Sequence, residues 1–392
     1  MLDWLDGELQ RLREAGLFRD RKVVRQFAGG WCEWNGRRLK NFAGNDYLDL
    51  AHDPRVIEAA HLAAIEGGAG SSASQLVCGR GPEHVALEAE ICDWLKGEAC
   101  LLFPTGYAAN LGAISGLAGK EDIIFSDSLN HASLIDGCRL SGAKVVVFPH
   151  RELDALETLM HKHAGRRQFV VSDTLFSMDG DVADVVGLQR VVKQMGGTLI
   201  LDEAHALGTL GDTGGGLAEA TGLDCEGVVR IGTLSKALGS LGGFVVGSQK
   251  LIDWLWNRAR SQIFSTILPP SACAAARSAI QIVRSEPERR RRVNEHSRTL
   301  IEGLRRAGFE IPADENSPVV PVILHDPFLA VGVGKELAER GFLVGAIRPP
   351  SVPAGTSRLR IALSSGHSTE EVLGILKAIE EIVGRLRGSS EK

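Results

Sequence analysis

The sequence lacks paired cysteines, an excess of basic charge and any long apolar run. Its seven cysteines are scattered over 392 residues without a CxxC pair, which argues against a zinc cluster and against a disulfide framework. The net charge of −5 gives no attraction to phosphate backbones. No window has the apolar length of a membrane span or a signal peptide. We therefore expect a cytoplasmic chain with reduced thiols, and neither nucleic acid nor a membrane as a partner.

What the sequence does have is an alternation of apolar strands and amphipathic helices. Seven short runs are mostly apolar on both faces, as expected when helices cover both sides of a mainly parallel sheet. These runs are 99–103, 122–126, 144–148, 169–173, 199–202, 228–232 and 243–247. The segments between them repeat apolar residues at helical spacing, for example Leu87, Ile91 and Leu95. The sequence predicts an α/β fold built on a seven-stranded, mainly parallel sheet.

The character of the sequence changes near residue 284. A charged helix with few apolar positions is followed by three strand-like runs, and the closing helix begins with Ser368 and Glu371 in a capping-box pattern. A chain of this length can form one large core and a smaller second domain. We interpret residues 1–45 as an N-terminal helix and extension, 46–285 as the large domain, and 286–392 as a smaller C-terminal α+β domain.

Polar side chains after two successive strands give the strongest chemical signal. LILDEAHALG ends a strand at Asp202 and continues to His205, and VVRIG runs into TLSKALGSLGG, which contains Thr233 and Lys236. Ligands of open α/β sheets bind at the carboxyl ends of the strands. A carboxylate there can be a simple helix cap. Together with the lysine, however, it provides what pyridoxal 5′-phosphate (PLP) needs, an acid for the pyridinium nitrogen and an amine for the aldehyde.

His131 in the segment NHASLIDGC is open to two interpretations. A histidine that directly precedes a helix is often a cap or a hydrogen-bonding group. Beside a PLP site, the same side chain could stack on the cofactor ring. His131 alone does not decide between the two, and the functional interpretation depends on the residues around it.

Eight motifs, in this order, resemble those of the α-oxoamine synthases, a family of fold-type I PLP-dependent transferases. They are NFAGNDYLDL, FPTGYAAN, NHASL, FSMDGD, LDEAHALG, TLSKALGSLGG, STILPP and IRPPSVPAGTSRLRIALSSGH, and they span nearly the whole chain. The resemblance implies PLP as the cofactor, a homodimer, and the decarboxylative condensation of an amino acid with an acyl thioester on CoA or acyl carrier protein. L-alanine is the implied amino acid, and branches of the family that use glycine or serine remain alternatives.

The resemblance also implies cofactor-binding roles for the residues that match these motifs. Lys236 resembles the lysine that binds the cofactor aldehyde, Asp202 the partner of the ring nitrogen, and His131 the ring that stacks on the cofactor. His205 and Ser177 would lie near the phenolic oxygen. The implied phosphate ligands are Gly106 and Tyr107 at a helix start, the hydroxyl of Thr233, and Ser265 and Thr266 in a segment that reaches the phosphate from the partner subunit.

The substrate residues follow from the same resemblance. Arg348 would bind the amino-acid carboxylate, Asn45 would line the same pocket, and Arg19 would lie near the acyl-chain entrance. Two positions depart from the family pattern. Gln75 stands where an arginine is common, and Asp49 where a glycine is usual. The expected acyl donor is therefore supported by fewer matching residues than the assignment of PLP is.

Two other functions fit parts of the sequence. A nicotinamide-dependent dehydrogenase would explain the glycines of GTLGDTGGG, but no GxGxxG follows a strand and opens a helix. A non-catalytic partner subunit with the same fold would commonly lack the lysine, and Lys236 is present. Neither alternative accounts for the ordered set of motifs.

Overall fold

A computed structural model describes residues 2–390 of the chain. These residues pack into two compact units. One unit, called the large unit below, comprises residues 46–177 and 181–291, and the other, the small unit, comprises the described parts of 1–45, 178–180 and 292–392. The small unit thus combines segments from the N-terminal and the C-terminal parts of the sequence. The three-part division by residue number stays a prediction.

The elements of the chain follow one another in three stretches. The first holds one helix and three strands: α1 (Trp4–Glu14), β1 (Val24–Phe27), β2 (Trp31–Trp34) and β3 (Arg37–Phe42). The second alternates helices and strands: α2 (Pro54–Gly67), α3 (Pro82–Leu95), β4 (Ala99–Phe103), α4 (Gly106–Leu117), β5 (Ile123–Asp127), α5 (Ala132–Ser141), β6 (Lys144–Phe148), α6 (Leu153–Lys162), β7 (Gln168–Asp173), α7 (Val185–Gln194), β8 (Thr198–Asp202), α8 (Leu217–Ala220), β9 (Val228–Thr233), β10 (Gly243–Gly247), α9 (Gln249–Arg258), α10 (Arg260–Ile263) and α11 (Pro270–Ser285). The third holds α12 (Pro287–Arg306), β11 (Val319–His325), α13 (Pro327–Glu339), β12 (Phe342–Ile347), β13 (Ser357–Ala362) and α14 (Thr369–Ser390).

The large unit is built on a seven-stranded sheet in the order β4-β10-β9-β8-β7-β5-β6. Strands β9, β8, β7, β5 and β6 are parallel, and β10 is antiparallel to both of its neighbours. All seven predicted strands form, and the prediction of a mainly parallel α/β fold is confirmed. The carboxyl ends of the parallel strands therefore lie along one edge of the sheet.

Helices cover both faces of this sheet, which explains why its strands are mostly apolar on both faces. Successive residues of β7 enter different cores: Val170 packs with Leu156 of α6 and Val191 of α7, whereas Val171 packs with Ala113 of α4. The exception is β6, which ends the sheet and exposes part of its apolar surface. Burial of both faces fixes the register of the inner strands, and with it the positions of the residues at their ends.

The small unit contains a six-stranded sheet in the order β1-β2-β3-β12-β13-β11. The three predicted C-terminal strands form, and the predicted cap of α14 is confirmed, because Ser368 N donates to Glu371 Oε2 (2.8 Å) and Glu371 N donates to Ser368 Oγ (3.2 Å). Residues 1–45 contribute more than the predicted helix and extension. Strands β1 to β3 join this sheet through a parallel pairing of β3 with β12. The sequence analysis did not predict these strands because the runs that form them are short and largely polar.

All seven cysteines lie in the described part of the chain and carry free thiols. Residues 2–390 contain no group of three or more His, Cys, Asp and Glu side chains arranged to hold a metal ion. Over the same residues, none of the helices combines the length and the apolar character needed to cross a membrane.

Candidate active site

Polar residues gather where the parallel strands of the large unit end. Asp202 ends β8, Asp173 ends β7 at the same level, and Thr233 ends β9. Lys236 lies three residues beyond Thr233, and its Nζ is 2.8 Å from Nε2 of His205. Four residues singled out in the sequence, Asp202, His205, Thr233 and Lys236, are thus brought to one edge of the sheet.

The carboxylate of Asp202 is held at both oxygens. Oδ1 accepts a hydrogen bond from Ala204 N at 2.9 Å, and Oδ2 accepts one from Nδ2 of Asn110 at 2.7 Å. The amide of Asn110 is buried and also donates to Ser133 Oγ at 2.8 Å. The sequence analysis did not single out Asn110, although it closes the motif FPTGYAAN, one helical turn after Gly106. Only the packing of α4 on the sheet shows that its side chain reaches Asp202.

His131 is both a helix cap and a neighbour of the charged residues. It is the N-cap of α5, where its Nδ1 is 2.7 Å from Ser133 Oγ and accepts from Ser133 N at 3.3 Å. The residue is exposed in the single chain. Partial desolvation lowers the pKa of His131, the Lys236 charge lowers it further, and Asp202 opposes both. The capping and functional interpretations are therefore compatible, since the cap uses only one ring nitrogen.

Asp173 was not singled out in the sequence, although it ends the run FVVSD. Its side chain is buried, and Oδ2 accepts a hydrogen bond from His131 N at 2.7 Å. Burial raises the pKa of Asp173 well above its usual range, and the negative charge of Asp202 raises it further. The parallel order of β7 and β8 was the signal that could have revealed it, because two strands that end in Asp side by side place two carboxyl groups together.

Tyr47 extends the contact between His205 and Lys236. Its hydroxyl is 2.7 Å from Nδ1 of His205, and both side chains are buried. His205 thus contacts a phenol through one ring nitrogen and the lysine amine through the other. Tyr47 lies in the motif NFAGNDYLDL, but nothing in the sequence indicated that it would meet His205, 158 positions along the chain.

The start of α4 presents backbone N–H groups beside Thr233. Thr105 is the N-cap of this helix, and its side chain accepts from Ala108 N at 3.0 Å. Gly106 and Tyr107 are the first two residues of the helix, and such amides have no acceptor within it. A Cβ on Gly106 would lie 3.1 Å from the Thr233 hydroxyl. A glycine fits best here because the helix start and the end of β9 approach so closely, and the backbone N–H groups of a helix start suit a phosphate.

The remaining predicted cofactor residues lie in two loops. Ser177 is half-buried in the loop between β7 and α7, where Phe176 N donates to Asp181 O at 2.9 Å. Ser265 is half-buried and Thr266 is exposed, between α10 and α11. The approach of these last two residues to a partner subunit's phosphate stays a prediction.

The three predicted substrate residues belong to the small unit and form two separate contacts. Arg348 donates to the backbone carbonyls of Gly16 and Phe18, and Arg19 Nη2 is 3.4 Å from the carbonyl oxygen of Arg348. Asn45 Oδ1 instead accepts from Arg360 Nη2 at 3.1 Å. Arg360, which is buried, is therefore a second guanidinium associated with the predicted substrate residues, and the sequence analysis did not single it out.

The two departures from the family pattern have different structural settings. Gln75 is buried, and its Nε2 donates to Leu102 O at 2.8 Å, so the amide anchors a short π-helical turn over Gln75–Gly79 to β4. Asp49 has a φ of 53°. This left-handed conformation favours glycine and is tolerated by aspartate, which explains how the substitution is accommodated.

Comparisons with known proteins identify the family of the chain. A family model described as "Aminotransferase class I and II" matches residues 37–379. A curated relative from Anaeromyxobacter sp. (strain K), named 8-amino-7-oxononanoate synthase, is 46% identical over 97% of this chain and 96% of its own length.

Two solved structures resemble the chain over 89% or more of its length. A serine palmitoyltransferase variant from S. paucimobilis with bound PLP has a TM-score of 0.93 at 31% identity, over 99% of this chain and 98% of that one. An 8-amino-7-oxononanoate synthase from Francisella tularensis has a TM-score of 0.78 at 26% identity, over 89% of this chain and 99% of that one. The chain belongs to the class I and II aminotransferase family and, within it, to the PLP-dependent α-oxoamine synthases of fold type I.

Proposed function

We propose that this protein condenses L-alanine with a pimeloyl thioester and releases CO2 and the free thiol carrier, to give 8-amino-7-oxononanoate in biotin biosynthesis. The observation that carries the proposal is the meeting of the Lys236 amine with His205 at the strand ends where Asp202 and Thr233 also lie. The choice of substrates is supported by the 46% identity, over 97% of this chain, to the Anaeromyxobacter protein named 8-amino-7-oxononanoate synthase.

The residues of the large unit fit PLP. Asp202, oriented by Asn110 and Ala204, would hold the proton on the ring nitrogen. The backbone N–H groups at the start of α4 would bind the phosphate. His131 would cover one face of the ring, and His205 and Ser177 would approach its phenolic oxygen. When bound, PLP supplies an electron-poor ring that takes up the negative charge left at Cα by loss of a proton or of CO2.

The charges around Asp202 favour this role. Two adjacent carboxyl groups cannot both ionise at low cost, and the raised pKa of Asp173 favours its neutral form. A single negative charge, that of Asp202, would then face the ring nitrogen. The backbone amide of His131, bonded to Asp173, would keep the imidazole in place for contact with the ring.

Lys236 is the base in the proposed reaction. Once its amine is released by the incoming alanine, Nζ would remove the proton from alanine Cα and later return a proton to the product. His205 Nε2, at 2.8 Å, would orient the amine, and Tyr47 would hold the imidazole from its other side. Orientation of this kind matters because proton transfer requires the two heavy atoms to lie within hydrogen-bond reach.

The substrate carboxylate would be bound by Arg348, as the sequence indicates. Its guanidinium contacts only backbone carbonyls among the contacts seen in the described residues, and Nε is buried there without a partner, so it keeps donors for a carboxylate. Arg360 beside Asn45 is the other cation that could serve. Arg19 would line the entrance for the acyl chain.

A homodimer in the cytoplasm is part of the proposal. The large unit exposes Val77 and Phe264, which are 79% and 71% accessible in the single chain. The two apolar side chains lie in neighbouring segments, since Ile267 N donates to Ala73 O at 3.2 Å. Two large apolar side chains exposed next to Ser265 and Thr266 support a partner subunit that covers them. Ser265 and Thr266 would then lie at the phosphate site of that partner.

Competition between amino acids tests the proposed substrate. The PLP-loaded protein is offered alanine, glycine and serine, each with pimeloyl and with palmitoyl thioester, and release of the thiol is followed. We expect the highest kcat/KM for alanine with the pimeloyl thioester. A preference for serine with the palmitoyl thioester would favour the palmitoyltransferase branch, which the TM-score of 0.93 makes the main alternative. Absence of any turnover in a PLP-loaded protein would favour a non-catalytic subunit.

A further inference from the structure

One side chain without an assigned role, His150, contacts two loops that carry predicted cofactor residues. It follows β6, and its Nδ1 lies 3.0 and 3.1 Å from the two carboxylate oxygens of Asp127. Its Nε2 lies 2.7 Å from Asp181 Oδ2. A neutral imidazole has only one N–H, so hydrogen bonds from both nitrogens to carboxylates require the charged imidazolium.

The groups that face His150 form a balanced cluster. Asp127 and Asp181 are buried, with 3% and 7% of their side chains accessible, and His150 is 19% accessible. Arg151 approaches Asp181 at 3.4 Å, and the ring of Phe176 packs edge-on against the imidazole at 4.4 Å. Burial alone would lower the pKa of His150, but the two carboxylates raise it to about 9. The cluster thus holds two negative charges, on Asp127 and Asp181, and two positive ones, on His150 and Arg151.

Asp127 connects His150 to the loop that ends at His131. It is the last residue of β5, and its Oδ1 accepts from Leu129 N at 2.8 Å. The next amide, that of Asn130, donates to Asp127 O at 3.3 Å. The carboxylate that His150 binds therefore also shapes the turn from which His131 projects.

Asp181 connects His150 to the loop of Ser177. Its carbonyl accepts from Phe176 N at 2.9 Å, and Leu175 pairs with Val182 across the same loop. Ser177 directly follows Phe176, whose ring touches His150. A shift of the imidazole would therefore move both the base of this loop and the residue next to Ser177.

We propose that His150 is a positioning residue for the cofactor site: its imidazolium bridges Asp127 and Asp181, and thereby fixes the loops of His131 and Ser177 relative to each other before PLP binds. The inference rests on the proposed function for the identity of the cofactor. His150 itself touches neither Lys236 nor Asp202 in the contacts described above, so its effect on the site passes through the two loops.

The test compares His150→Gln with a matched control, Arg167→Gln. Arg167 binds the buried Asp122 through Nε (3.0 Å) and Nη2 (2.7 Å). Asp122 directly precedes β5 and Arg167 directly precedes β7, at the opposite ends of strands whose carboxyl ends form the site. Both variants remove a cation from a buried carboxylate, but only one lies near the cofactor loops.

Four readouts separate positioning from simple stability. For H150Q we expect the dissociation constant of PLP to rise about tenfold or more and kcat to fall by a similar factor, because a misplacement of about 1 Å can cost about 100-fold in rate. In the cofactor-free protein, amide hydrogen exchange should accelerate in residues 128–131 and 175–182. Wild type and R167Q should lose PLP affinity as the pH rises through about 9, where His150 loses its proton, and H150Q should lack that step.

A second variant keeps the test decisive if H150Q folds poorly. H150Q leaves two carboxylates facing one cation, Arg151. The double variant H150Q/D181N removes that excess negative charge, and we expect it to recover part of the PLP affinity that H150Q loses. Equal effects of H150Q and R167Q on PLP affinity, on exchange in the two loops and on the step near pH 9 would overturn the inference. Failure of wild type to bind PLP would instead refute the proposed function, and the exchange in the cofactor-free protein would still test His150.

Discussion

Asn110 should control the affinity for the cofactor although it is not expected to touch it. The residue is 2% accessible, and its side-chain amide donates to Asp202 Oδ2 at 2.7 Å and to Ser133 Oγ at 2.8 Å. Asn110→Ala removes one hydrogen bond to a charged group, worth about 2 kcal/mol, and one neutral bond, worth about 1 kcal/mol. We expect the cofactor-free protein to lose about 3 kcal/mol of unfolding free energy.

The same change should weaken PLP binding, because Asp202 keeps only the backbone amide of Ala204 as an orienting donor among the hydrogen bonds described for it. If the poorly oriented carboxylate weakens contact with the ring nitrogen by about 1.4 to 2 kcal/mol, beyond the loss already present in the cofactor-free protein, the dissociation constant rises about 10- to 30-fold. The assay is a PLP titration followed by absorbance, alongside urea unfolding of the cofactor-free protein. Ser115→Ala is the control, since Ser115 lies in the same helix and its hydroxyl bonds only to the backbone of Leu111 in the contacts described. An unchanged PLP affinity in a destabilised N110A protein would refute the orienting role.

Three further predictions follow from other contacts. Because the pKa of Asp173 is raised in the folded protein, its stabilising contribution is present below its unfolded pKa of about 3.9 and is lost as the pH rises through the folded value. Urea unfolding of cofactor-free Asp173→Asn should therefore show a smaller fall in stability from pH 4 to pH 8 than wild type does, and equal slopes would contradict it. Tyr47→Phe removes the 2.7 Å contact with His205 and should lower kcat about tenfold at unchanged PLP affinity, in steady-state assays. Arg348→Gln should raise the KM for alanine about 100-fold, as expected for loss of a charged hydrogen-bonded pair; if Arg360→Gln does so instead, the carboxylate partner is Arg360.

Most of the large unit could be predicted from the sequence because its signals are local. Runs such as FVVSD and LILD are apolar on both faces, a pattern that arises only when both faces of a sheet are covered. The residues at strand ends follow from the same logic, since parallel strands bring their carboxyl ends to one edge. The order of the residues along the chain was therefore enough to predict that Asp202 and Lys236 share one site.

The contacts that orient these residues could not be predicted in the same way. Asn110 reaches Asp202 across 92 positions of sequence, and Tyr47 reaches His205 across 158. Such pairs depend on how a helix or loop lies over the sheet, which no periodicity encodes. The strands at the N-terminus were missed for a related reason. Runs such as WCEW and RRLKNF gain their stability from pairing with each other and with β12, not from a strong pattern of their own.

The product formed from alanine and a pimeloyl thioester tests the proposed reaction most directly. PLP-loaded wild type and Lys236→Ala are incubated with both substrates, and the products are identified by mass spectrometry with carboxyl-labelled alanine to trace CO2. We predict 8-amino-7-oxononanoate with loss of the label as CO2 from wild type, and no such product from the variant. Formation of the same product by K236A, or recovery of both substrates intact from PLP-loaded wild type, would refute the proposed reaction.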